Sequence, residues 1–261
     1  MAEKNKMNIF DYLREKFAVL QIKKANCIFV SSDLGKIGLI KGETKIQLLD
    51  SIYNAILSVN PKITIVVPTA NLNLIRSNDY FEIDKTKSYK MGAFSEYIRK
   101  KKEALRSFNP IWSLSAIGPL SEFITSDVSN HGYDENSSFS RLFKIENCFF
   151  LSLGNHPRFM LSIIHHIENK FKVPYRFTKS FEIKVLSNKK IYSKSFYLDV
   201  LNEKVRYNKR SKNKKIFENF ENKSSLFKTN LGKSYIYYFN LNDFYSITSE
   251  LFKKDINCWW K

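Results

Sequence analysis

In the stretch Ser162-Ile-Ile-His-His-Ile-Glu168 an imidazole and a carboxylate lie three residues apart, at His165 and Glu168. On a helix that spacing puts both on one face. A carboxylate beside an imidazole raises its basicity and fixes its orientation, which suits a general base. A buried, hydrogen-bonded histidine on a core helix accounts for the same spacing equally well. His166 projects about 100° away and cannot share the task from the same helix. H-E-x-x-H is absent because the stretch reads H-H-I-E-N, and H-x-x-E-H is absent because Asn169 follows Glu168. A metal-dependent hydrolase would have to draw on His131, His156 and His165.

Three further stretches carry candidate chemistry. Val30-Ser-Ser-Asp-Leu-Gly-Lys-Ile-Gly38 follows an apolar run, and its small residues can expose backbone N–H groups to a phosphate or an oxyanion. It matches neither G-x-G-x-x-G nor the P-loop pattern, so an ordinary strand-to-helix turn is the simpler reading. Arg106 precedes a segment of small residues, Ser107 to Pro119, and can grip a phosphate or carboxylate; a capping loop is the alternative. Lys204–Lys215 holds seven basic residues in twelve, either a solvated face or an anion site.

Composition narrows the classes. The chain has 261 residues, 43% hydrophobic and 15% aromatic, which excludes disorder throughout. No apolar run reaches membrane-spanning length, and the first residues lack a signal-peptide apolar stretch. Cys27, Cys148 and Cys258 are far apart, which fits core or tail residues in a reducing cytoplasm. Lys and Arg total 43 against 25 acidic residues, a net charge of +18, so polyanions are favoured partners.

The elements that must position these residues follow from periodicity. Residues 8–24 read as an amphipathic helix with Ile9, Tyr12, Leu13, Phe17 and Leu20 inward. Asn26–Val30 and Lys62–Val67 read as buried strands joined by a helix over 44–57, a βαβ unit. Helices are expected at Phe94–Arg106, Ser115–Ser126, Leu161–Phe171 and Asn242–Phe252, and strands at Cys148–Leu153 and Ser234–Phe239. Residues 127–138 read as a mobile loop and 180–210 as antiparallel strands. One α/β domain spanning 1–261 is the simplest organisation.

The order of motifs adds to this. Ser31-Ser32, Val67-Pro68-Thr69, Arg106-Ser-x-x-Pro110-x-x-Ser113-x-x-Ala116-x-Gly118-Pro119, Ser137-Ser-Phe-Ser-Arg141-Leu142, Leu153-Gly154, His165-x-x-Glu168 and Pro174-Tyr175-Arg176-Phe-x-Lys179-x-Phe181 follow one another along the chain. The set resembles the aminoglycoside 3-N-acetyltransferase family, and in particular a branch found in surface-polysaccharide gene clusters. The resemblance covers roughly residues 8–252. It implies a three-layer α/β/α sandwich with a mixed central sheet, and transfer of acetyl from acetyl-CoA to an amine of an amino sugar without a covalent enzyme intermediate. It makes His165 the base, Glu168 its orienting partner and Asp199 an assisting acid. It places Ser31, Ser32, Asp33, Leu34, Gly35, Lys36, Ile37 and Thr69 along the pantetheine and diphosphate of CoA. Arg106, Ser107 and Ser113 match a CoA-side cluster. No metal is implied.

The chain departs from the family pattern at Val30 and Asn109, where His is frequent, and at Ser138, where Pro is frequent. Aminoglycosides are polycations and call for acidic sites, whereas this chain is strongly basic. The acceptor expected here is therefore a nucleotide-linked or acidic amino sugar, with an aminoglycoside resistance enzyme as the alternative. A basic nucleic-acid-binding protein is the rival from another class, although no recognition motif supports it. The expected partners are CoA and the acceptor, with no nucleic acid and no membrane span, and a homo-oligomer is left open.

Overall fold

The computed structural model describes residues 8–20, 22–38, 44–159, 162–202, 214–223 and 226–258. The basic run 204–215 lies outside the described residues, apart from the backbone of its last two.

Three parallel strands form the centre: β1 (Cys27–Ser32), β2 (Thr64–Pro68) and β6 (Cys148–Leu153). β1 lies between the other two, with Phe29 opposite Val66 and Phe150. All three are largely apolar runs, and every residue but Phe149 is buried, as parallel strands covered by helices require. Helix α2 (Lys45–Val59) makes the crossover from β1 to β2. It starts at a capping box in which Thr44 and Gln47 satisfy each other's backbone N–H. Antiparallel strands complete the sheet: β5 (Leu114–Ile117) and β4 (Leu105–Arg106) beyond β2, β10 (Ser234–Asn240) and β9 (Phe227–Leu231) beyond β6. The order is β4-β5-β2-β1-β6-β10-β9.

Side-chain alternation divides the core into two layers. Ile28 and Val30 face α1 (Ile9–Val19), α2 and α3 (Ala93–Arg99). Cys27 and Phe29 face the other layer, which holds α6 (Ile164–Lys170), α7 (Lys214–Asn222) and α8 (Leu241–Lys254). Short helices α4 (Ser121–Thr125) and α5 (Ser138–Phe143) belong to that side as well. A small second sheet packs there too: β3 (Tyr80–Phe81) with the hairpin β7 (Arg176–Ser187) and β8 (Lys190–Leu201). The mixed α/β sandwich expected from the sequence is the observed fold.

Three local expectations are corrected. The helix foreseen over Phe94–Arg106 stops at Arg99, and Leu105–Arg106 pairs with Ala116 and Ser115 as an edge strand. The segment Ser115–Ser126 is a strand as far as Ile117 and a helix only over Ser121–Thr125. Gly118 separates them at φ +123°, its Cα packed against the backbone of Ile63 and Thr64. Residues 127–138 are tied to β8 rather than loose: Tyr197 donates to the Asn130 carbonyl, and Gly132 donates to the Tyr197 carbonyl. Tyr133 in this segment is 1% exposed.

Candidate active site

Helix α6 brings the imidazole and carboxylate together. His165 Nδ1 lies 2.5 Å from Glu168 Oε2. The Glu168 side chain is fully buried, whereas that of His165 is 23% exposed. Contact with a carboxylate puts the ring hydrogen on Nδ1 and the lone pair on Nε2, the tautomer a base needs. His166 goes the other way: it is buried, stacks on Phe143 and meets the Tyr133 carbonyl at 2.7 Å through Nδ1. Burial pushes its basicity down.

A third group completes the cluster. Arg176, at the start of β7, sets its Nε 2.7 Å from the same Glu168 oxygen. One of its terminal nitrogens lies 3.1 Å from His165 Nδ1. Since Nδ1 already directs its hydrogen at Glu168, this is a close approach of a cation to the ring. Burial works to raise the Glu168 pKa, but the charge and hydrogen bond of His165, then Arg176 and the Tyr175 hydroxyl, hold it below the ordinary range.

Asp199 is held by a different set. Thr178 and Asn169 donate to it at 2.8 and 2.7 Å, and His131 Nε2 lies 3.2 Å away. His131 Nδ1 accepts from the Tyr133 N–H, so Nε2 carries the hydrogen that meets Asp199. Burial opposes ionisation of Asp199, yet these hydrogen bonds bring its pKa down to about 2. Arg176 also donates to the Asp199 carbonyl at 3.1 Å. Asp199 thus pairs with His131 and is linked to the His165–Glu168 pair through Arg176.

Aromatic rings connect this cluster to the sheet. His165 packs edge-on against Tyr133, Tyr133 against Trp112 and Phe139, and Phe139 against Phe29 of β1. Two positions beyond Phe29, on the same face, is Ser31. Ser32 faces the opposite layer, where its hydroxyl is buried without a hydrogen-bond partner. The double serine therefore straddles the carboxyl-terminal edge of the parallel strands, where open α/β sheets take ligands. Gly154 lets the ends of β1 and β6 meet: a Cβ there would stand 2.3 Å from the Asp33 carbonyl.

The other residues singled out in the sequence fall into two sets. After β1, Leu34–Lys36 forms a short 3-10 turn, Asp33 pairs with Lys36 at 3.4 Å, and Ile37 is buried in the core. Thr69, Arg106, Ser107 and Ser113 form a buried network beside β2 and β5. Arg106 donates to the Thr69, Thr86 and Ile83 carbonyls at 2.6, 2.6 and 3.0 Å and to Ser113 Oγ at 3.1 Å. Burial lowers its pKa to about 9. Ser113 Oγ donates to the Thr69 carbonyl at 2.9 Å, and Ser107 Oγ accepts from the Leu114 N–H at 2.9 Å. This network fixes the turn after β2 from below.

The family model described as aminoglycoside 3-N-acetyltransferase matches residues 29–253. The chain belongs to this acetyltransferase family. Comparison with curated protein sequences returned no match. Among solved structures, YokD from Bacillus subtilis superposes with a TM-score of 0.77 at 19% identity, covering 95% of this chain and 94% of that one. AAC-IIIb in its binary complex with CoASH gives 0.77 at 19% identity, covering 94% and 96%. AAC-VIa bound to sisomicin gives 0.77 at 16% identity, covering 94% and 97%. At these identities the likeness is one of fold.

Within this acetyltransferase frame, the three departures are structurally quiet. Val30 is buried in the α2 layer. Asn109 accepts from the Ile111 and Trp112 N–H groups and so builds its own turn. Ser138 occupies the first turn of α5, where proline is also well tolerated. Among the described residues no group of three His, Cys, Asp or Glu could hold a metal. The histidines named for that reading are apart: His131 meets Asp199, His156 meets Glu221 at 3.4 Å, and His165 meets Glu168. No described helix is long and apolar enough to cross a membrane. Local sequence patterns tie neither Arg176 to Glu168 nor His131 to Asp199; His131 entered only as a candidate metal ligand. Arg176 stood in a quoted motif, but nothing local says that it reaches back to α6.

Proposed function

We propose that this chain is an acetyl-CoA-dependent N-acetyltransferase that acetylates an amine of an amino sugar by direct transfer, with His165 as general base. The observation that carries the reading is the 2.5 Å contact between His165 Nδ1 and the buried Glu168, on the layer that Ser31 faces. The acceptor nitrogen attacks the thioester carbonyl, and Nε2 of His165 takes its proton. The tetrahedral oxyanion forms beside the Ser31–Ile37 loop; the Asp33, Lys36 and Ile37 N–H groups are used by the fold, so Leu34 and Gly35 are the backbone donors that would stabilise it, an effect worth a few kcal/mol in acyl transfer. Collapse breaks the C–S bond, and the imidazolium returns the proton to the departing CoA thiolate. Glu168 orients the ring and balances its transient charge. Asp199 acts at one remove, positioning Arg176 through its carbonyl and the Tyr133 segment through His131. Ser31, Ser32 and the Asp33–Lys36 turn line the donor, Ile37 packs under that turn from the core, and Arg106, Ser107 and Ser113 hold the buried Thr69 turn beside it.

Charge supports a nucleotide-linked or acidic amino sugar, of the kind used in surface-polysaccharide synthesis, as acceptor. Glu168 is committed to His165 and Arg176, and Asp199 to His131, Asn169 and Thr178, so neither carboxylate is spare for a polycation. An aminoglycoside acceptor is the second reading, favoured by family membership alone. The test is release of the free CoA thiol from acetyl-CoA with nucleotide-linked amino sugars and with sisomicin, followed by mass spectrometry for one added acetyl group. His165→Ala should lower kcat by about 10²-fold or more and leave CoA binding intact. Full activity in that variant would refute the base assignment, and acetylation of sisomicin alone would establish the second reading.

A further inference from the structure

The hairpin β7–β8 changes character along its length. It closes on a two-residue turn, Asn188-Lys189, both at positive φ (+49° and +61°), between the paired Ser187 and Lys190. One face of this far end packs on the core through the buried Ile183 and Val185. The other face carries Lys184, Leu186 and Ile191, with Tyr80 of β3 in register beside Lys184. Ile191 is 55% exposed and Tyr80 42%. Tyr192 points to the packed face, yet it lies on the outer strand of the small sheet and is 45% exposed.

The same segment is strongly basic. Residues 183–194 contain four lysines and no carboxylate. Lys194 lies over the rings of Phe108 and Phe196, at 5.4 and 5.6 Å. Lys184, Lys189 and Lys190 are exposed and make no ion pair among the described residues. The nearest acids along these strands are Glu182, which accepts from the Ser195 hydroxyl, and Asp79 next to Tyr80.

This mixture selects among polyanions. A nucleic-acid backbone offers the lysines phosphates but gives an exposed aliphatic side chain nothing to bury against. Lysines on an edge strand also oppose the addition of a further strand. A bilayer surface accepts every component. Tyrosine rings settle at headgroup level with their hydroxyls wet, and lysine stems follow the apolar surface while the ammonium stays among the headgroups. The Leu186–Ile191 and Val185–Tyr192 pairs are the second and third from the turn, so they stand within roughly 10 Å of the tip, the depth an interfacial anchor reaches.

We propose that the far end of the β7–β8 hairpin, with Tyr80, docks on an anionic lipid bilayer. Ile191 and Tyr192 enter the interface, and Lys184, Lys189 and Lys190 meet the acidic headgroups. Ile191 shares its strand face with Asp199, about 27 Å further along β8, so docking leaves the candidate active site clear of the lipid.

Sedimentation with vesicles tests it, using phosphatidylcholine mixed with phosphatidylserine against phosphatidylcholine alone. A chain of net charge +18 is drawn to anionic vesicles everywhere on its surface, so three variants separate the hairpin from that background. Ile191→Ser with Tyr192→Ser keeps the charge and removes the anchor. Lys184→Gln, Lys189→Gln and Lys190→Gln together remove the local charge. Lys23→Gln, Lys24→Gln and Lys62→Gln remove the same charge at the amino-terminal ends of β1 and β2. All eight positions are exposed. Each lysine at an anionic surface is worth roughly fivefold in affinity, so the hairpin lysine variant should bind about 100-fold more weakly. The anchor variant should lose at least fivefold, and the remote variant less than threefold. Equal losses in the hairpin and remote lysine variants would overturn the proposal. So would unchanged binding in the anchor variant, or a wild-type protein with no preference for the anionic vesicles. A single-stranded oligonucleotide held by the same three lysines, with no vesicle binding, would give the surface to nucleic acid instead.

Discussion

Replacing Arg176 with methionine probes the charge balance at the proposed base. The guanidinium touches both members of the pair, at 2.7 Å from Glu168 and 3.1 Å from His165 Nδ1. It cancels much of the carboxylate charge that would otherwise stabilise imidazolium. The groups facing the ring are Glu168 from its own helix, Arg176 from β7 and Tyr133 from the segment before α5, with Tyr175 behind Glu168. Two unit charges about 4 Å apart at an effective dielectric near 20 interact by roughly 4 kcal/mol, an upper bound of about 3 pH units. The ring is 23% exposed, so solvent screens part of this, and a shift of about 1 to 2 units is expected. The sign is upward: loss of a neighbouring cation favours the protonated ring, so the variant's base titrates at higher pH. The imidazole resonances of ¹⁵N-histidine-labelled protein, assigned with His165→Ala, give the titration directly. In turnover, the acid limb of the kcat/KM profile should move by the same amount. Arg176→Lys, which retains the charge, should keep the limb within about half a unit. An unmoved limb, or one displaced to lower pH, would refute the argument.

Two further outcomes follow from the buried polar groups. Asp199 has a folded-state pKa of about 2 against an ordinary 3.8, so its contribution to stability is present above pH 4 and is lost as pH falls toward 2. That contribution is about 2 kcal/mol, and Asp199→Asn should flatten the acid side of a denaturant-measured stability curve. Arg106→Met removes donors to three backbone carbonyls and should cost about 3 to 5 kcal/mol in urea unfolding; a loss below 1 kcal/mol would show that solvent or neighbouring groups already satisfy that turn.

Local patterns determined a good deal of this protein. Apolar, β-branched runs at Cys27–Val30 and Thr64–Val67 announced buried parallel strands, because their backbone must pair and both faces must be covered. The three-residue spacing of His165 and Glu168 placed them on one face because helix geometry is itself local. Pairing between distant segments decided the rest. Leu114–Ile117 has no local mark against helix, yet it is a strand because β2 offers it a free edge. Asp199 was expected near His165 but meets His131, 68 positions away, because the β8 register and the ordered 129–137 segment bring them together. Arg176 reaches Glu168 only because the second sheet packs over α6. Strand alternation separates Ser31 from Ser32, but the sandwich alone gives each side a layer. Neighbours in sequence fix periodicity and spacing, whereas the charge around a reactive group is set by whatever the tertiary contacts bring within a few ångströms of it.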